Sequence, residues 1–389
     1  MEALENIRVI ELGFAVAGPI AATLLADFGA DVIKVEQPGV GDGMRNMGPK
    51  TKGVGVWWLV AGRNKKSICI DLKTQEGKEV LSDLLRDADI LVENFRPGVL
   101  ERLGFDWDTL HALNPKLVVL RISGFGQTGP FSQRPGFGKL AEAYSGATNL
   151  TGHRHEPPLH PSYSLGDMMC ALMGAYGAMV ALHSRQSTGK GQVVDLALYE
   201  PLFRLIDWQL PLHAVSGTNV VRDGPRFPFG DAFITDLCET RDGDHLVVSA
   251  ATPSHLGRLA SMLKSEGMDG DFSQGPEVAR CLRAWMGQND RHRILDIFLK
   301  HDLVAGLVYT PAEMMEDKHM AARGNIVHLE HEILGSIPMP GVSPKLVSTP
   351  GSVKWMGPNL GQHTDAILSG YLKYKPDRIS KLKADQIIP

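Results

Sequence analysis

Asp167 is the residue whose type and position most directly suggest covalent chemistry. It follows Gly166 and precedes the apolar, helix-like run Met168–Leu182. A helix start offers unpaired backbone N–H groups and a partial positive potential, so it can hold a carboxylate ionised and in a fixed direction. Such a carboxylate beside a reactive carbonyl can act as a nucleophile and form an acyl anhydride. The alternative is that Asp167 only caps the helix, because Asp is a preferred N-cap residue.

A second group of chemically suggestive residues follows two predicted strands. Lys73 comes just after the strand-like Ser67–Asp71. The loop 93–98, which contains an amide, a phenylalanine and an arginine, begins where the strand-like Ile90–Glu93 ends, and Arg102 lies one turn further on. Basic, amide and aromatic side chains at neighbouring strand ends suit a ligand that carries phosphates and a flat base. A solvated charged rim around an α/β sheet would look the same, and the spacing alone leaves both interpretations open.

The segment Gly124–Gly129 matches the dinucleotide-binding pattern G-x-G-x-x-G after a predicted strand. That fingerprint requires the third glycine to lead into a helix whose N-terminus receives the pyrophosphate. Here Pro130 follows at once, residues 131–135 are typical of a loop, and the preceding strand is about the fifth of the chain rather than the first. A nicotinamide or flavin site is therefore not predicted.

Strand-like and helix-like segments alternate in the first third of the chain, which favours a mainly parallel sheet covered on both faces. Ligands bind beyond the carboxyl ends of the strands of such sheets, so the loops after Val35, Asp71, Glu93 and Ser123 are expected to form the site. The predicted strands are Ile7–Leu12, Asp31–Val35, Ser67–Asp71, Ile90–Glu93 and Leu117–Ser123. The helix-like stretches are Pro19–Phe28, Gly53–Ala61, Gln75–Arg86 and Trp107–Leu113.

The remaining chain predicts a second, smaller unit after a linker. Val215–Pro228 is rich in glycine, proline and arginine and is typical of a linker, and a second crossing is expected near Gly306–Thr310. Thr310 and Glu313 have the spacing of a capping box. The other predicted elements are strands at Gln192–Leu198, Phe233–Cys238 and His245–Val248, and helices near Pro201–Leu210, after Thr252, over Glu277–Met286, over Arg291–Lys300 and from about Asp365, with a Gly- and Pro-rich stretch at Gly335–Gly351.

Composition argues against several functional classes. The formal net charge of −4 over 389 residues, with Lys and Arg mixed along the chain, argues against a nucleic-acid surface. The run Met168–Leu182 is too short to span a bilayer, and residues 1–12 lack the pattern of a signal peptide. The four cysteines are widely separated, with no metal-ligand spacing, so no metal site is predicted. These observations predict a cytoplasmic enzyme of about two domains, with no membrane or nucleic-acid partner.

A series of short segments forms an ordered set of motifs: Gly29–Glu36, Lys65–Ser67, Asp71–Lys73, Val92–Gly98, Gly124–Pro130, Gly166–Asp167, Thr188–Gly191 and Leu360–Asp365. Together they resemble the class III CoA-transferase family, to which formyl-CoA transferase and the carnitine CoA-transferases belong. The resemblance covers nearly the whole chain, from about Ile7 to the last helix. It implies an acyl-CoA:carboxylate CoA-transferase whose catalytic aspartate is Asp167.

The resemblance also implies the fold and the assembly. It predicts an α/β protein with a Rossmann-like large domain built from both chain ends, an inserted small α+β domain, and an interlocked homodimer. The large domain would comprise residues 1–214 and 325–389, the small domain residues 229–305, and the linkers residues 215–228 and 306–324. The expected ligands are an acyl-CoA and a small carboxylic acid, with coenzyme A as substrate and no tightly bound cofactor.

The resemblance assigns a set of residues to the binding of coenzyme A, and three departures qualify it. Val16 replaces the glutamine of formyl-CoA transferase, which argues against a formyl and oxalate substrate pair. Gln37 replaces a basic residue of the family, and no poly-glycine loop is found near Phe229-Gly230-Asp231, which predicts an altered flap over the site. The predicted cofactor-binding residues are Ala17, Gly18, Gln37, Leu72, Lys73, Asn94, Phe95, Arg102, Gly136 and Lys139.

The same superfamily contains 2-methylacyl-CoA racemases, which exchange an α-proton with a histidine and an aspartate. Their histidine corresponds to Phe137, and phenylalanine cannot carry a proton. Transfer of CoA is therefore favoured, with a racemase-like or other acyl-CoA-processing enzyme as the alternative. In the expected reaction, Asp167 attacks the thioester to give an aspartyl-acyl anhydride and then an aspartyl-CoA thioester, from which CoA passes to the acceptor acid.

Overall fold

The structure, a computed structural model, describes residues 1–226 and 233–389, and these residues form two compact units. The first unit comprises Met1–Ala147, Pro161–Asp207 and His319–Pro389, and the second comprises Thr148–His160 and Trp208–Lys318.

The strands are β1 (Arg8–Glu11), β2 (Asp31–Glu36), β3 (Lys50–Thr51), β4 (Val54–Gly55), β5 (Lys65–Cys69), β6 (Ile90–Glu93), β7 (Val118–Ser123), β8 (Val193–Ala197), β9 (Ile234–Glu239), β10 (His245–Ala250), β11 (Val304–Leu307), β12 (Ile326–His331) and β13 (Gly335–Pro340). The α-helices are α1 (Ala17–Ala26), α2 (Val56–Ala61), α3 (Gln75–Leu85), α4 (Val99–Arg102), α5 (Trp107–Leu113), α6 (Gly138–Tyr144), α7 (Ala147–Leu150), α8 (Leu165–Thr188), α9 (Glu200–Leu205), α10 (Gln209–Ser216), α11 (Pro253–Ser265), α12 (Gly275–Met286), α13 (Arg291–Lys300), α14 (Pro311–Glu316), α15 (Lys318–Ala322), α16 (Thr364–Ala366) and α17 (Pro376–Ala384).

A parallel six-stranded sheet forms the centre of the first unit, in the order β5-β2-β1-β6-β7-β8. Its β-branched residues are buried on both faces of the sheet, as is usual for the parallel strands of α/β proteins. Helices α3 and α5 pack on one face, and α1 and α8 pack on the other. The predicted parallel sheet covered on both faces is therefore confirmed.

Helix α8 differs from its prediction in where it begins. It starts at Leu165 with Ser164 as the N-cap, so Asp167 lies in the first turn and is not the capping residue. At 24 residues it is also longer than predicted, and its length and composition would allow it to cross a membrane. Such a helix is equally typical of a protein core, and here small residues, Ala171, Gly174 and Ala178, face α1 and the sheet.

The outer edge of β5 is covered by a segment from much later in the chain. The backbone N–H of Ser67 donates to His363 Nδ1 at 3.2 Å, and that of Cys69 donates to Thr364 Oγ1 at 3.2 Å. In return, the backbone N–H of His363 donates to the carbonyl of Ser67 at 2.9 Å, and that of Gly361 donates to Ser67 Oγ at 2.9 Å. An edge strand with unpaired backbone groups would otherwise be a site for non-native pairing.

The predicted single helix from Asp365 is wrong. A π-helical turn, Ile367–Tyr371, follows α16, and Lys373 then has a φ of 53°, which lies outside the helical region. Pro376 occupies the first turn of α17, where the missing N–H of proline is tolerated. The Gly- and Pro-rich stretch Gly335–Gly351 also contains a strand that was not predicted, because β13 pairs with β12 as an antiparallel hairpin.

The second unit contains an antiparallel sheet, in the order β11-β10-β9, that packs with α11, α12 and α13. The predicted capping box is confirmed: Thr310 accepts from the N–H of Glu313, whose carboxylate accepts from the N–H of Thr310. Gly306, where a crossing was expected, lies within β11, and residues 306–324 also contain α14 and α15. The helix predicted near Pro201–Leu210 is two helices, α9 and α10. The segment Phe229-Gly230-Asp231 lies outside the described residues.

Candidate active site

A cleft of about 440 Å³ opens at the carboxyl ends of β6, β7 and β8 in the first unit. This is the edge of the sheet where the sequence predicted a site. Asp167 lines it from the first turn of α8, together with residues of α6 and of the loops that follow the strands. A second cavity of about 280 Å³ lies beyond β2 and β5, and Phe14 and Phe95 line both cavities.

Close glycine contacts bring α6 against the sheet and against Asp167. A Cβ placed on Gly124, directly after β7, would lie 2.8 Å from the Cα of Gly136, so the two backbone segments touch. A Cβ on Gly138 would overlap the carboxyl group of Asp167, whose carbon would be 2.7 Å away. The absence of side chains at these positions therefore allows the carboxyl group to pack directly on the backbone at the start of α6.

The carboxyl group of Asp167 is less acidic than an ordinary aspartate. Its pKa is raised to about 6, chiefly by burial and then by the nearby charge of Glu142, while the charge of Lys139 acts in the opposite direction. The expectation that the helix start favours the ionised form is thus outweighed by desolvation. At pH 7 about 90% of a group with this pKa is still ionised, and its higher basicity makes it a better nucleophile than a solvated aspartate.

Lys139 and Glu142, both on α6, form an ion pair beside Asp167. Glu142 is 1% exposed, and both of its carboxylate oxygens lie 3.0 Å from Lys139 Nζ. The ammonium group also donates to the carbonyls of Pro161 and Tyr163, each at 2.7 Å. Glu142 Oε1 accepts from the backbone N–H of Gly166 at 3.1 Å. The pair thus connects α6 to the chain segment that leads into α8.

The loop before α1 forms another wall of the cleft, and Asn94 holds it in place. The side-chain oxygen of Asn94 accepts from the N–H of Phe14 at 2.7 Å, and its amide donates to the carbonyl of Phe14 at 2.8 Å. Ala15 has a φ of 63°, a left-handed conformation that non-glycine residues rarely adopt, and its N–H donates to Asp42 Oδ1 at 2.8 Å. These bonds fix a strained turn between the two cavities.

A buried ionic network lies beneath that loop. Lys34 and Lys65 are fully buried, and their ammonium groups contact the two oxygens of Glu11 at 2.5 and 2.8 Å. Lys34 also lies 2.6 Å from Asp42 and donates to the carbonyl of Gly13 at 2.9 Å. The surrounding carboxylates raise the pKa of Lys34, so the lysine stays charged, although its burial acts in the opposite direction. The network therefore anchors the loop through charged groups that cannot be solvated.

Eight of the ten predicted cofactor-binding residues line one of the two cavities. Phe95 lines both. The larger cleft includes Ala17, Asn94, Gly136 and Lys139, and the smaller cavity includes Gln37, Leu72 and Lys73. Gly18 and Arg102 line neither cavity: Gly18 packs beneath Asn94, and Arg102 is exposed on α4 next to Leu103, which lines the smaller cavity. The set remains a prediction, and the ammonium of Lys139 is already engaged by four oxygen atoms of the protein.

The sequence did not single out Met47 and Arg134, which line the larger cleft, or Glu142, which lies beside Asp167. Arg134 lies in a loop, with its guanidinium 3.6 Å from the ring centre of Phe131. The spacing of Lys139 and Glu142 is that of an ordinary surface ion pair on a helix, so only the three-dimensional structure reveals the burial of the glutamate. Phe137, at the position of the racemase histidine, is 76% exposed and lines the same cleft as Asp167.

Comparisons with known proteins identify the family to which the chain belongs. The sequence model of CoA-transferase family III matches residues 4–364. The chain is 40% identical to succinyl-CoA–D-citramalate CoA-transferase of Chloroflexus aurantiacus, over 99% of this chain and 98% of that protein. It is 37% identical to the beta subunit of succinyl-CoA–L-malate CoA-transferase of the same organism, with the same two coverages.

A solved structure supports the fold. The crystal structure of a CAIB/BAIF family protein from Brucella suis superposes with a TM-score of 0.83 at 29% identity, covering 95% of this chain and 99% of that one. Among the described residues, no group of three or more His, Cys, Asp or Glu side chains is arranged to hold a metal ion. The family match spans more than half of the chain, and the chain therefore belongs to CoA-transferase family III and is, as predicted, an acyl-CoA:carboxylate CoA-transferase of this class.

Proposed function

We propose that the enzyme transfers CoA through covalent intermediates on Asp167. The carboxylate attacks the thioester carbonyl of the donor acyl-CoA, which gives an aspartyl-acyl anhydride and CoA thiolate. The thiolate attacks the aspartyl carbonyl, so that the donor acid leaves and an aspartyl-CoA thioester remains. The observation that carries this proposal is the partly buried Asp167 carboxyl group, which faces a cleft and has a pKa raised to about 6.

The second half of the reaction repeats these steps with the acceptor acid. The acceptor carboxylate attacks the aspartyl-CoA thioester and displaces CoA thiolate, which leaves the acceptor joined to Asp167 as an anhydride. The thiolate then attacks the acceptor's carbonyl, releasing the new acyl-CoA and the free Asp167 carboxylate. Each step exchanges one acyl bond for another, so the energy of the thioester is kept throughout.

We infer that the substrates are dicarboxylic, with succinyl-CoA as donor and a four- or five-carbon hydroxy acid as acceptor. The names of two relatives, which act with D-citramalate and L-malate, support this choice. Arg96 and Arg134 line the larger cleft, and a guanidinium binds a carboxylate in a planar, two-point arrangement. One of these groups is suited to the carboxylate that does not react. Val16, which is buried in the same wall, replaces the polar residue expected for a formyl and oxalate pair.

A hydroxylamine trap tests the mechanism. Incubation of the wild-type enzyme with succinyl-CoA alone, followed by hydroxylamine, is expected to convert Asp167 to its hydroxamate, which mass spectrometry of the peptide detects. The Asp167→Ala variant is expected to lose turnover by at least a factor on the order of 10² while it still binds CoA, because a nucleophile acts in the transition state. Modification at another residue, or wild-type exchange by the variant, would contradict the mechanism.

A substrate screen tests the dicarboxylate assignment. Succinyl-CoA and acetyl-CoA are offered as donors with D-citramalate, L-malate, oxalate and butyrate as acceptors, and each acyl-CoA product is measured by chromatography. We expect the two hydroxy-dicarboxylic acids to give the highest kcat/KM. A preference for butyrate over both would refute the dicarboxylate assignment while leaving the Asp167 chemistry intact.

We further propose the interlocked homodimer, with a cytoplasmic location. Two observations support the dimer: the first unit contains both the first and the last segments of the chain, and α8 carries exposed apolar side chains every fourth residue, at Leu172, Tyr176 and Val180. Such a stripe lies on one face of the helix. Interlocked subunits cannot separate without unfolding, so sedimentation at nanomolar concentration should still give a dimer. A monomer at that concentration would refute it.

A further inference from the structure

The chain segment that delivers Asp167 to the cleft has few elements of regular structure to hold it. Residues 158–164 contain neither helix nor strand, and the side chain of the N-cap residue, Ser164, makes no capping hydrogen bond. One turn of α6 supplies the polar groups that fix the part of this segment next to α8. Lys139 Nζ binds the carbonyls of Pro161 and Tyr163, and Glu142 accepts from the N–H of Gly166.

We propose that Lys139 and Glu142 are positioning residues for the nucleophile: Lys139 fixes the segment that enters α8, and Glu142 holds the N–H immediately before Asp167. This inference rests on the proposed role of Asp167. It assigns Lys139 to the catalytic architecture of the protein rather than to the binding of coenzyme A. The reason is geometric, since four oxygen atoms already surround its ammonium group at 2.7–3.0 Å.

The pair also gives Asp167 two opposite charges at close range. The negative charge of the buried Glu142 disfavours ionisation of Asp167, whereas the positive charge of Lys139 favours it. The other ionisable groups on α8 and on the elements packed most closely against it are Cys170, Tyr176, His183 and Arg185 on α8, Tyr144 on α6, Glu200 and Arg204 on α9, Arg121 on β7 and Asp195 on β8. Burial, and then the charges of Asp167 and Glu200, raise the pKa of Cys170, so it stays a neutral thiol. Arg121 is paired with Glu93 and Glu101.

These charges predict shifts of opposite sign in the pH profile. The reactive form of Asp167 is the carboxylate, so kcat should fall about tenfold per pH unit below a pH of about 6. Glu142→Gln keeps an oxygen that can accept from the N–H of Gly166 but removes the negative charge. The pKa of Asp167 should therefore fall, and the acid limb of the profile, which is the part where kcat decreases with decreasing pH, should move to lower pH. Lys139→Met removes the positive charge, so the acid limb should move to higher pH. Lys139→Arg keeps the positive charge, so the pH at which its kcat falls should stay near that of the wild type, whatever its kcat at the plateau.

The experiment compares kcat between pH 4.5 and 8 for the wild type and these three variants, with succinyl-CoA at saturation. For each enzyme, kcat at pH 5 is divided by its plateau kcat at high pH. Compared with the wild type, we expect this ratio to be about threefold or more higher in Glu142→Gln and lower by a similar factor in Lys139→Met. Such a change corresponds to a shift of the acid limb by about half a pH unit. The KM for acyl-CoA should change little in all three. The matched controls are Glu79→Gln and Lys78→Met on α3, which packs on the opposite face of the sheet and should leave the limb unchanged.

A second measurement reads the carboxyl group without turnover. Selective ¹³C labelling of aspartate, with Asp167→Asn for assignment, gives the titration of Asp167 directly in each variant, and circular dichroism confirms that each variant is folded. The inference would be overturned if Glu142→Gln and Lys139→Met fold but leave the titration of Asp167 unchanged. It would also be overturned if both substitutions shift that titration in the same direction. A titration that moves as expected in an enzyme whose turnover does not need Asp167 would instead refute the proposed function. A variant that fails to fold is replaced by Glu142→Ala or Lys139→Gln, which also remove the charge and are judged by the same two criteria.

Discussion

Gly138→Ala is expected to lower activity without lowering stability, because the new methyl group would occupy the place of the nucleophile. The added Cβ would lie 2.7 Å from the carboxyl carbon of Asp167, and ordinary van der Waals contact begins at 3.4 Å. Asp167 Oδ2 would lie closer still to the new methyl group, so the carboxyl group must retreat by at least about 0.7 Å. A misplacement of about 1 Å can cost on the order of 100-fold in rate, so a loss of about 10- to 100-fold in kcat is expected, or ~1.4–2.7 kcal/mol in the activation barrier.

The assay follows the conversion of succinyl-CoA to the acceptor's acyl-CoA by chromatography, alongside thermal unfolding of each protein. Gly138 begins α6 and does not have a positive φ, so alanine fits the backbone there. Gly257→Ala serves as control, because that glycine lies inside α11 with no atom within 4 Å of the added Cβ. It should keep full activity. A folded Gly138→Ala enzyme with wild-type kcat would show that the position of the Asp167 carboxyl group does not limit the reaction.

Three further predictions concern binding and stability. Lys73→Ala should raise the KM for acyl-CoA several-fold at constant kcat, since a phosphate contact acts alike on ground and transition states; an unchanged KM with a collapsed kcat would place the CoA site elsewhere. Arg134→Met should raise the KM for a dicarboxylic acceptor by about tenfold or more while the Kd for free CoA, which has no carboxylate, stays constant, and an unaltered acceptor KM would exclude Arg134 as the carboxylate ligand. Lys34→Met should lower the free energy of unfolding, measured with urea, by about 3–5 kcal/mol, because it leaves the buried Glu11 and Asp42 without their shared cation. Lys50→Met, at an exposed lysine, is the control, and an equal effect of the two substitutions would refute the role of the network.

Much of the central sheet could be predicted from the sequence because its strands are short, β-branched and separated by helices of ordinary length. All five strands predicted in the first third were found, each within two residues of its predicted bounds. The prediction failed where the local sequence and the tertiary contacts favour different structures. Strand β13, Gly-Ser-Ile-Pro-Met-Pro, has two prolines and a glycine, and it is held as a strand only by its pairing with β12.

The candidate site was predictable only in part, for a related reason. Asp167, Asn94 and Phe95 follow recognisable motifs and reach the cleft. Glu142, in contrast, differs from a surface glutamate only through its burial, which depends on the close approach of Gly124 to Gly136 across the fold. The buried ionic network was invisible for the same reason, since Glu11, Lys34 and Lys65 sit within strands whose partners are set by the order of the sheet.

The cover over the edge of β5 has a consequence for how the protein is made. The covering residues, Gly361, His363 and Thr364, follow the strand by nearly three hundred positions, since the bond from Ser67 to His363 spans 296 residues. A ribosome adds about 5–20 residues per second, so roughly 15–60 seconds separate the synthesis of the strand from that of its cover. During that time the outer edge of β5 is unprotected in the nascent chain, and chaperones that bind extended segments can bind it.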